Sequence, residues 1–548
     1  MKKKVVSLML ALTLAVSMTA CKSQNSVNIT GQVQEEVQGT TGRQSSEIEG
    51  ASYIELSDEE ILFNGDSITS NTEAEVYVAN DIVYYEDGKD FTYGEGTEKD
   101  AHTKKEADAH TVVHITKPGT YVVSGKLSAG QIAVDLGKDA KDDPEAVVTL
   151  VLNGADITCT VAPGVIFYNV YECSSDEEDE ATKEVDTSAA GANVLIADNS
   201  VNHVTGSYVA RIYKSVELSE DGTKVVDSKK LHKYDAAFYS KMSMNINGGE
   251  ADSGVLNIHA ENEGLDSELH LTINGGKINI VSGNDGINTN EDKVSVTTIN
   301  GGFLNIAVDG SSGEGDGIDS NGWLVINGGV VNASACATSM DAGIDSDMGI
   351  HINGGTVIAT GNMLDHISDS EQNYVVFTFQ NKVKGGEEIT LVKDEESHFL
   401  TMSNDFTYLL VSKATFGEEG AYTLWKGEEQ LSVVEISDEG MRMPPDEFRG
   451  QRPEMPEGFK PGEMPEGFEG GQMPEGFKPG EIPEGLEEGQ VPEGFKPGEM
   501  PEGLETEKMP GGGRGGKGGF GQVNVEDAVT EFEIKPGSNM FMVVSIET

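Results

Sequence analysis

Residues 316–329 read DGIDSNGWLVINGG, and residues 342–355 read AGIDSDMGIHINGG. Each stretch joins a Gly-Ile-Asp-Ser element to a short apolar run that ends in Ile-Asn-Gly-Gly. The Ile-Asn-Gly-Gly signal occurs five times, and its Asn residues are 27, 26, 27 and 26 positions apart. These residues are Asn247, Asn274, Asn300, Asn327 and Asn353. Self-similarity at a fixed period of this length indicates a stack of structural repeats.

The content of each repeat predicts the kind of stack. The residue just before each Asn is Ile, and the residue two positions earlier is apolar in four of the five repeats. The residue between them is mostly polar, as in a strand with one buried face. Three short strands, the third at the Gly-Ile-Asp-Ser element, and three turns fit into about 26 residues, the length of one coil of a parallel β-helix. Hairpins of a β-sandwich would not require five nearly equal intervals, so that alternative is less favoured.

The two glycines and the Asn of each repeat have a structural interpretation. Gly-Gly permits the positive φ that a sharp corner needs. Asn side chains stacked at one corner can hydrogen-bond from coil to coil. We therefore expect Ile-Asn-Gly-Gly itself to build the fold and not to carry chemistry.

Composition shifts divide the rest of the chain. Short strand-like runs precede the repeats, among them AEVYVA, DIVYYE, TVVHI, TYVVSG, QIAVDL and VVTLVLNG, and no long segment has a helical period. An all-β chain follows, with the β-helix over residues 51–370 and a C-terminal β module or cap over 371–440. Residues 441–522 repeat units such as MPEGFKPGE every nine residues and are predicted to be disordered. Residues 523–548 are predicted to form terminal β-strands.

The charge and the N-terminus bear on location. Lys plus Arg is 38 and Asp plus Glu is 94, so the formal net charge is −56. A nucleic-acid partner is therefore excluded, because it requires a basic surface. Residues 1–20 resemble a signal peptide, and the small residues before Cys21 resemble a bacterial lipobox. We expect a lipid on Cys21, a flexible tether over 21–50 and a membrane lipoprotein facing the extracellular side; an ordinary secretory signal is the alternative.

Acidic residues recur in register with the repeats. Stacked coils about 4.8 Å apart would place them in two columns, where neighbouring like charges repel by roughly 3 kcal/mol. Such columns persist if a cation fills them or if turn hydrogen bonds suffice. Carboxylate and amide oxygens at loop corners are ligands that Ca²⁺ prefers. The predicted calcium ligands are Glu263, Asp266, Asp285, Asn288, Asp316, Asp319, Asp341 and Asp345; simple Asp-Gly turn chemistry is the alternative.

Three aromatic side chains are candidate sugar contacts. Trp323 and His270 each lie four positions before a repeat Asn, so alternation points them outward, and Phe303 faces outward one strand later. An exposed ring can stack on the apolar face of a sugar. The alternative is that Trp323 packs under a loop. The acidic stretch Glu172 to Asp186 is predicted to be a solvated loop.

Several strings together resemble a known family. ITKPGTYVVSGKLSAGQIAVDL, VTLVLNGADI and DAAFYSKMSMNINGG, joined by the repeated DGIDS and INGG, resemble the carbohydrate-binding parallel β-helix family of bacterial, clostridial-type surface proteins related to pectate lyases. The resemblance implies a right-handed β-helix, bound calcium and affinity for plant-type polysaccharides, including acidic ones. Asn288 and Ala342 stand where an acid is expected and weaken two metal positions.

Three functions follow as hypotheses. The leading one is a cell-surface lipoprotein that binds polysaccharide through a calcium-loaded β-helix. The second is a calcium-dependent polysaccharide lyase, for which Lys277 or Lys293 would have to serve as the base, although neither lies in a recognisable lyase signature. The third is a structural or adhesive surface protein without specific glycan binding.

Overall fold

The computed structural model describes residues 29–30, 48–393, 396–437 and 525–544. The predicted signal peptide, Cys21, most of the tether and the nine-residue repeats lie outside the described residues. Strands dominate the described residues, with one four-residue α-helix, Lys104–Ala107, and short 3-10 turns. The protein is therefore all-β, as predicted.

In chain order the strands β1 to β34 are Ile29–Thr30, Ser52–Leu56, Leu62–Phe63, Asp66–Ser67, Val76–Ala79, Thr111–Ile115, Gly119–Leu127, Gly130–Asp135, Val148–Thr158, Val165–Asn169, Ala192–Ile196, Val201–Gly206, Val209–Leu218, Val225–Tyr234, Ala236–Ser240, Met244–Gly248, Val255–Ala260, Glu263–Ser267, His270–Ile273, Lys277–Ser282, Ile287–Thr289, Val296–Ile299, Phe303–Val308, Trp323–Ile326, Val330–Ser334, Gly349–Ile352, Thr356–Gly361, Tyr374–Val383, Glu388–Lys393, Glu396–Thr401, Phe406–Lys413, Tyr422–Lys426, Glu429–Glu435 and Ser538–Val544.

Strands of successive repeats pair in parallel and in register, in three stacks. The INGG stack runs β11, β16, β19, β22, β24, β26. The second stack runs β12, β17, β20, β23, β25, β27. The GIDS stack runs β8, β10, β15, β18, β21. Leu271 pairs with Thr297 and Thr297 with Leu324, so the pairing follows the repeat period of the sequence.

The Ile-Asn-Gly-Gly corner has the structural role predicted for it. Gly329 has φ +77°, which favours glycine, and a Cβ on Gly328 would lie 2.4 Å from the carbonyl oxygen of Asn300 in the adjacent repeat. Asn327 Nδ2 donates to Asn300 Oδ1 at 2.9 Å, and Asn353 Nδ2 donates to Asn327 Oδ1 at 3.0 Å. The same bond links Asn274 and Asn247 to this ladder. Both glycines are therefore needed, one for its conformation and one for close stacking.

The inward positions of the repeats form the core. The Ile before each Asn is almost completely buried, as are the residues two positions earlier. Burying one such side chain contributes about 1.5–3 kcal/mol, and the register repeats that gain at every coil. The three described cysteines, Cys159, Cys173 and Cys336, form no disulfide.

Two local predictions were wrong. The run DIVYYE is not a strand: residues 81–85 form irregular backbone, in which Ile82 and Tyr85 are buried in an apolar cluster. Burial in a loop explains their apolar character as well as a strand would. The third strand of the repeat forms at β18 and β21, whereas Ile318 makes only an isolated bridge to Ile287.

After β27 most of the strand pairing is antiparallel, although β28 and β34 pair in parallel. Strand β31 pairs with β27 and with β28, and β29, β30 and β32 extend this module. β34 returns to pair with β28 and β33. The module has its own core, which contains Phe377, Leu409 and Phe541. All these residues belong to one compact unit, and within the described ranges no helix is both long and apolar enough to span a membrane.

Candidate functional site

The Gly-Ile-Asp-Ser elements of successive repeats lie directly on one another. The amide nitrogen of Gly264 donates to the carbonyl oxygen of Asp285, that of Gly286 to Asp316, and that of Gly317 to Ala342, at 3.0–3.1 Å. Glycine is required here because a Cβ on Gly286 would lie 2.5 Å from the carbonyl oxygen of Gly317. The acids that flank these glycines are therefore stacked in register.

Three of the stacked acids converge. Carboxylate oxygens of Asp235, Glu263 and Asp266 all lie within 4.8 Å of one another, and all three residues are buried. We call this group the triad. Glu263 and Asp266 were predicted as metal ligands, and Asp235 was missed. Asp235 lies 12 positions before Asn247, the offset that separates Asp341 from Asn353, so counting back from the Asn could have found it.

The hydrogen bonds and the ion pair of the triad do not satisfy all of its buried oxygen atoms. Lys233 Nζ lies 2.5 Å from Asp235 Oδ2. Asn290 Nδ2 donates to both carboxylate oxygens of Asp266, at 2.8 and 3.0 Å. Asn288 Nδ2 lies 3.4 Å from Glu263 Oε1, but Glu263 Oε2 and Asn288 Oδ1 are buried without a hydrogen-bond partner. Orphaned buried oxygens of this kind require an explanation, and an ion is one.

The electrostatics of the triad are unfavourable without a cation. Burial raises the pKa of Glu263 and of Asp266 well above their usual values, and the neighbouring carboxylates add to the effect. Burial also raises the pKa of Asp235, although Lys233 opposes that shift. Three hard oxygen donors, an amide oxygen and an excess of negative charge match the ligands that Ca²⁺ takes. The residues present therefore fit the predicted metal.

The remaining acids bond mainly to backbone. We call Asp285, Asp316, Asp319 and Asp341 the aspartate group. Asp285 Oδ1 accepts from the amide nitrogen of Asp316 at 2.6 Å, and Asp316 Oδ1 accepts from that of Ala342 at 2.5 Å. Asp341 Oδ2 accepts from the amide nitrogen of Gly315 at 2.6 Å. The carboxylates of Asp285, Asp316 and Asp341 therefore each tie one repeat to the next.

The pKa values of three members of the aspartate group are strongly raised. Burial, with nearby carboxylates adding to it, raises the pKa of Asp285 to about 7, that of Asp316 to about 10 and that of Asp319 to about 7. The amide nitrogen of Asp345, the last predicted ligand, donates to the carbonyl oxygen of Ile318 at 2.7 Å. Among the described residues, the triad alone brings three acidic side chains to within 4.8 Å.

Two of the three predicted sugar contacts, His270 and Phe303, are not exposed enough to stack on a sugar. His270 is 3% exposed, and its Nδ1 accepts from the amide nitrogen of Val296 at 3.1 Å. Burial lowers the pKa of His270 to about 4, so the ring is neutral at pH 7. Phe303 is partly buried because it packs against the core of the C-terminal module. Trp323 is partly exposed and shares its sheet face with Val325.

The outward face of the INGG stack is covered because the acidic stretch crosses it. Glu172 Oε2 accepts from the amide nitrogen of Ser243 at 2.7 Å, which ties the start of the stretch to the sheet. At its other end, Thr187 Oγ1 lies 2.7 Å from Asn245 Oδ1 and 2.6 Å from Thr272 Oγ1. The predicted solvated loop is thus attached at both ends, with exposed acids between them. Alternation gave the direction of these side chains correctly but could not show what crosses above them.

The acidic stretch does not cover the whole outward face of the INGG stack. A cavity of about 710 Å³ lies over Thr298 and Val325. Residues 183–186 of the acidic stretch and residues 369–371, which follow β27, border this cavity. We call it the face groove; it adjoins the INGG stack and shares no residue with the triad.

Two known proteins match part of this chain. A protein of Acetivibrio thermocellus described as a carbohydrate-binding domain-containing protein is 30% identical over 169 residues, which cover 31% of this chain and 44% of that protein. The chain therefore matches less than half of this relative's length. The solved structure of the polysaccharide lyase-like protein from C. thermocellum, a gadolinium derivative, matches with 20% identity and a TM-score of 0.31. That match covers 59% of this chain and 94% of the other, and its TM-score does not establish a shared fold.

A family model gives the broader match. It carries the description carbohydrate-binding domain-containing protein and covers residues 109–395, more than half of the 548 residues. The matched range contains all three stacks, the triad and the aspartate group. The chain belongs to the family of carbohydrate-binding domain-containing proteins.

Proposed function

We propose that this chain is a cell-surface lipoprotein that binds polysaccharide, of the plant cell-wall type and including acidic chains, through a calcium-loaded domain. We also infer that its three parallel stacks wind as a right-handed parallel β-helix. Family membership supports carbohydrate as the ligand class. The repeat period and the in-register parallel pairing support the β-helix.

The observation that carries the calcium proposal is Glu263 Oε2, which is buried in the triad without a partner. A Ca²⁺ ion there would be held by Asp235, Glu263 and Asp266, with Asn288 Oδ1 as a neutral donor. Protein carboxylates alone do not complete the six to eight oxygen ligands that Ca²⁺ takes. A carboxylate of a uronate chain could supply others, which would let a protein with a net charge of −56 hold an acidic glycan. Calcium at the aspartate group and at Asp345 stays a prediction.

Calorimetric titration of the purified protein with polygalacturonate tests this proposal. We expect binding in calcium and its loss in excess chelator. The Asp266→Asn variant should lose binding in calcium as well, whereas Asp139→Asn, an exposed acid outside the stacks, should bind normally. Binding that chelator leaves unchanged would refute the calcium bridge.

One observation bears on the lyase alternative. Lys233 is the basic side chain beside the triad. Burial would lower its pKa, but Asp235 and the neighbouring carboxylates raise it above the usual value, so the amine stays protonated and cannot accept a proton. Lys277 is exposed, and Lys293 lies 3.1 Å from Glu178. We therefore favour binding over catalysis; an increase in unsaturated-product absorbance on polygalacturonate with calcium would reverse that choice.

The location is a separate proposal that rests on the lipobox-like sequence before Cys21. Lipid on Cys21 would keep the protein at the outer side of the membrane, with the carbohydrate-binding domain beyond it. A Cys21→Ser variant expressed in the native host should be released or should remain unlabelled by radioactive palmitate. Unchanged labelling would place the lipid elsewhere.

A further inference from the structure

The face groove offers hydroxyl, amide and apolar groups that the triad does not have. Its floor, Thr298 and Val325, comes from adjacent paired strands, β22 and β24. Asn327 and Asn353, the last two members of the Asn ladder, also line it. Hydroxyl, amide and small apolar groups are thus side by side on one sheet face, which suits a ligand rich in hydroxyl groups.

The charge of the groove selects against acidic ligands. Among its lining residues Lys183 is the one cation, and the acids are Glu184, Asp186, Asp369 and Glu371. The resulting net charge of −3 would repel a polyuronate, because like charges a few ångströms apart cost kilocalories even near the protein surface. Carboxylates are also strong acceptors for the hydroxyl groups of an uncharged sugar.

The borders of the groove are held in place before any ligand arrives. The carbonyl oxygen of Asp369 lies 2.9 Å from Nδ1 of His351, and Ser370 Oγ accepts from the amide nitrogen of Ile352 at 2.9 Å. Directly after the acidic stretch and its lining residues 183–186, Thr187 bonds to β16 and β19. A prearranged border reduces the entropy lost on binding.

We propose that the face groove binds a segment of a neutral oligosaccharide, without calcium, at a site separate from the triad. This inference rests on the proposed carbohydrate-binding function but not on its calcium bridge. The protein would then contact two kinds of glycan, an uncharged one on the INGG stack and an acidic one on the GIDS stack.

A tryptophan close to the groove can serve as a fluorescent reporter. The chain has two Trp residues, Trp323 and Trp425. Trp323 lies on the same strand and face as Val325, two residues away, whereas Trp425 lies on β32 in the C-terminal module. A Trp425→Phe variant therefore leaves a single indole beside the groove.

The test titrates this variant, in excess chelator, with neutral hexasaccharides of glucose, xylose and mannose and with a galacturonate hexamer. We expect at least one neutral probe to change the Trp323 emission saturably and to bind in calorimetry, and the galacturonate hexamer to do neither. Silence of all three neutral probes in both measurements would overturn the proposal.

A pair of variants tests the position of the site. Asn353→Lys places a long side chain in the groove and removes one amide, and we expect at least tenfold weaker binding of the neutral probe. Asn71→Lys makes the same change at an exposed turn outside the groove and should leave binding unchanged. Equal affinity of Asn353→Lys and the parent, with matching urea unfolding curves, would overturn the groove assignment. If the same variant still binds polygalacturonate in a calcium-dependent way, the proposed function holds even where the groove assignment fails.

Discussion

The triad and the aspartate group arise from the same repeat but satisfy their carboxylates in different ways. In the aspartate group, amide nitrogens of the neighbouring repeat donate to Asp285, Asp316 and Asp341. In the triad the donors are side chains, and one oxygen of Glu263 has no partner. Acids in register are therefore not equivalent: one group ties coils together, and the other is left with charge and oxygen atoms that a cation can use.

The difference has a local cause. Asp285 and Asp316 are themselves the Asp of the Asp-Gly corner, where the backbone of the next repeat approaches closely enough to donate. Asp235, by contrast, comes directly after the hairpin of β13 and β14, whose last residues include Lys233. The change of chain path there removes the regular backbone donors and brings three carboxylates together.

The largest expected effect is on stability as a function of pH in the metal-free protein. The folded pKa of Asp319 is about 7, well above the value near 3.9 of an unfolded Asp. A raised carboxyl pKa gives stability that is fully present below pH 4 and lost as the pH rises through 7. The loss from this one group is on the order of 4 kcal/mol between pH 4 and 8. Urea unfolding in chelator across that range would measure it.

The Asp319→Asn variant should lose this group's share of the pH dependence, because its amide does not titrate, while Asp285 and Asp316 keep theirs. Asp139→Asn, at an exposed position, should keep the slope of the parent. Repeating the series in calcium sharpens the comparison of the two groups. If calcium removes the pH dependence of stability that Asp319 contributes as fully as the dependence that the triad contributes, the aspartate group binds the ion too.

The next effect is on calcium affinity. Asp266→Asn removes a buried carboxylate from the triad, and we expect calcium to bind about 100-fold more weakly, since affinity follows the number of charged ligands. Asp316→Asn removes a carboxylate bonded to backbone and should change that affinity less than threefold by the same reasoning. Isothermal titration with calcium chloride measures both. Equal losses of calcium affinity in the two variants would mean that the triad and the aspartate group do not differ in calcium binding.

The sequence predicted the architecture better than the site. Five Ile-Asn-Gly-Gly signals gave the register, the inward residues and the Asn ladder, because each depends on local turn geometry repeated along the chain. Counting back from Asn247 places Asp235 in register, but it does not show that Asp235 converges with Glu263 and Asp266. Nor does it show that His270 is buried, because both outcomes depend on segments inserted between repeats. The hairpin before Asp235 and the acidic stretch over Ser243 are such insertions, and a repeat period carries no information about where they fold.

A smaller change in the opposite direction is expected at Lys233. Its ammonium group lies 2.5 Å from Asp235 and would compete with a cation at the triad. Lys233→Met keeps the aliphatic chain and removes the charge, so calcium should bind about tenfold more tightly, equivalent to about 1.4 kcal/mol of relieved repulsion. Lys229→Met, at an exposed position on the same strand, is the matched control. Weaker calcium binding by Lys233→Met would indicate that the lysine holds the triad in shape.

The smallest expected effect is at Asn288, where the second column of acids is interrupted. Its Oδ1 is buried without a partner, and its Nδ2 lies 3.4 Å from Glu263 Oε1. Asn288→Asp exchanges that donor for a fourth negative charge. In chelator the repulsion should lower the free energy of unfolding, whereas in calcium the added charge should tighten ion binding by about threefold. Asn290→Asp is the informative contrast, because the Asn290 amide already donates to both oxygens of Asp266 and its loss should weaken the site. Opposite signs for these two neighbouring Asn→Asp changes would place the ion on the Glu263 side of the triad, and the same sign for both would remove Asn288 from the ligand set.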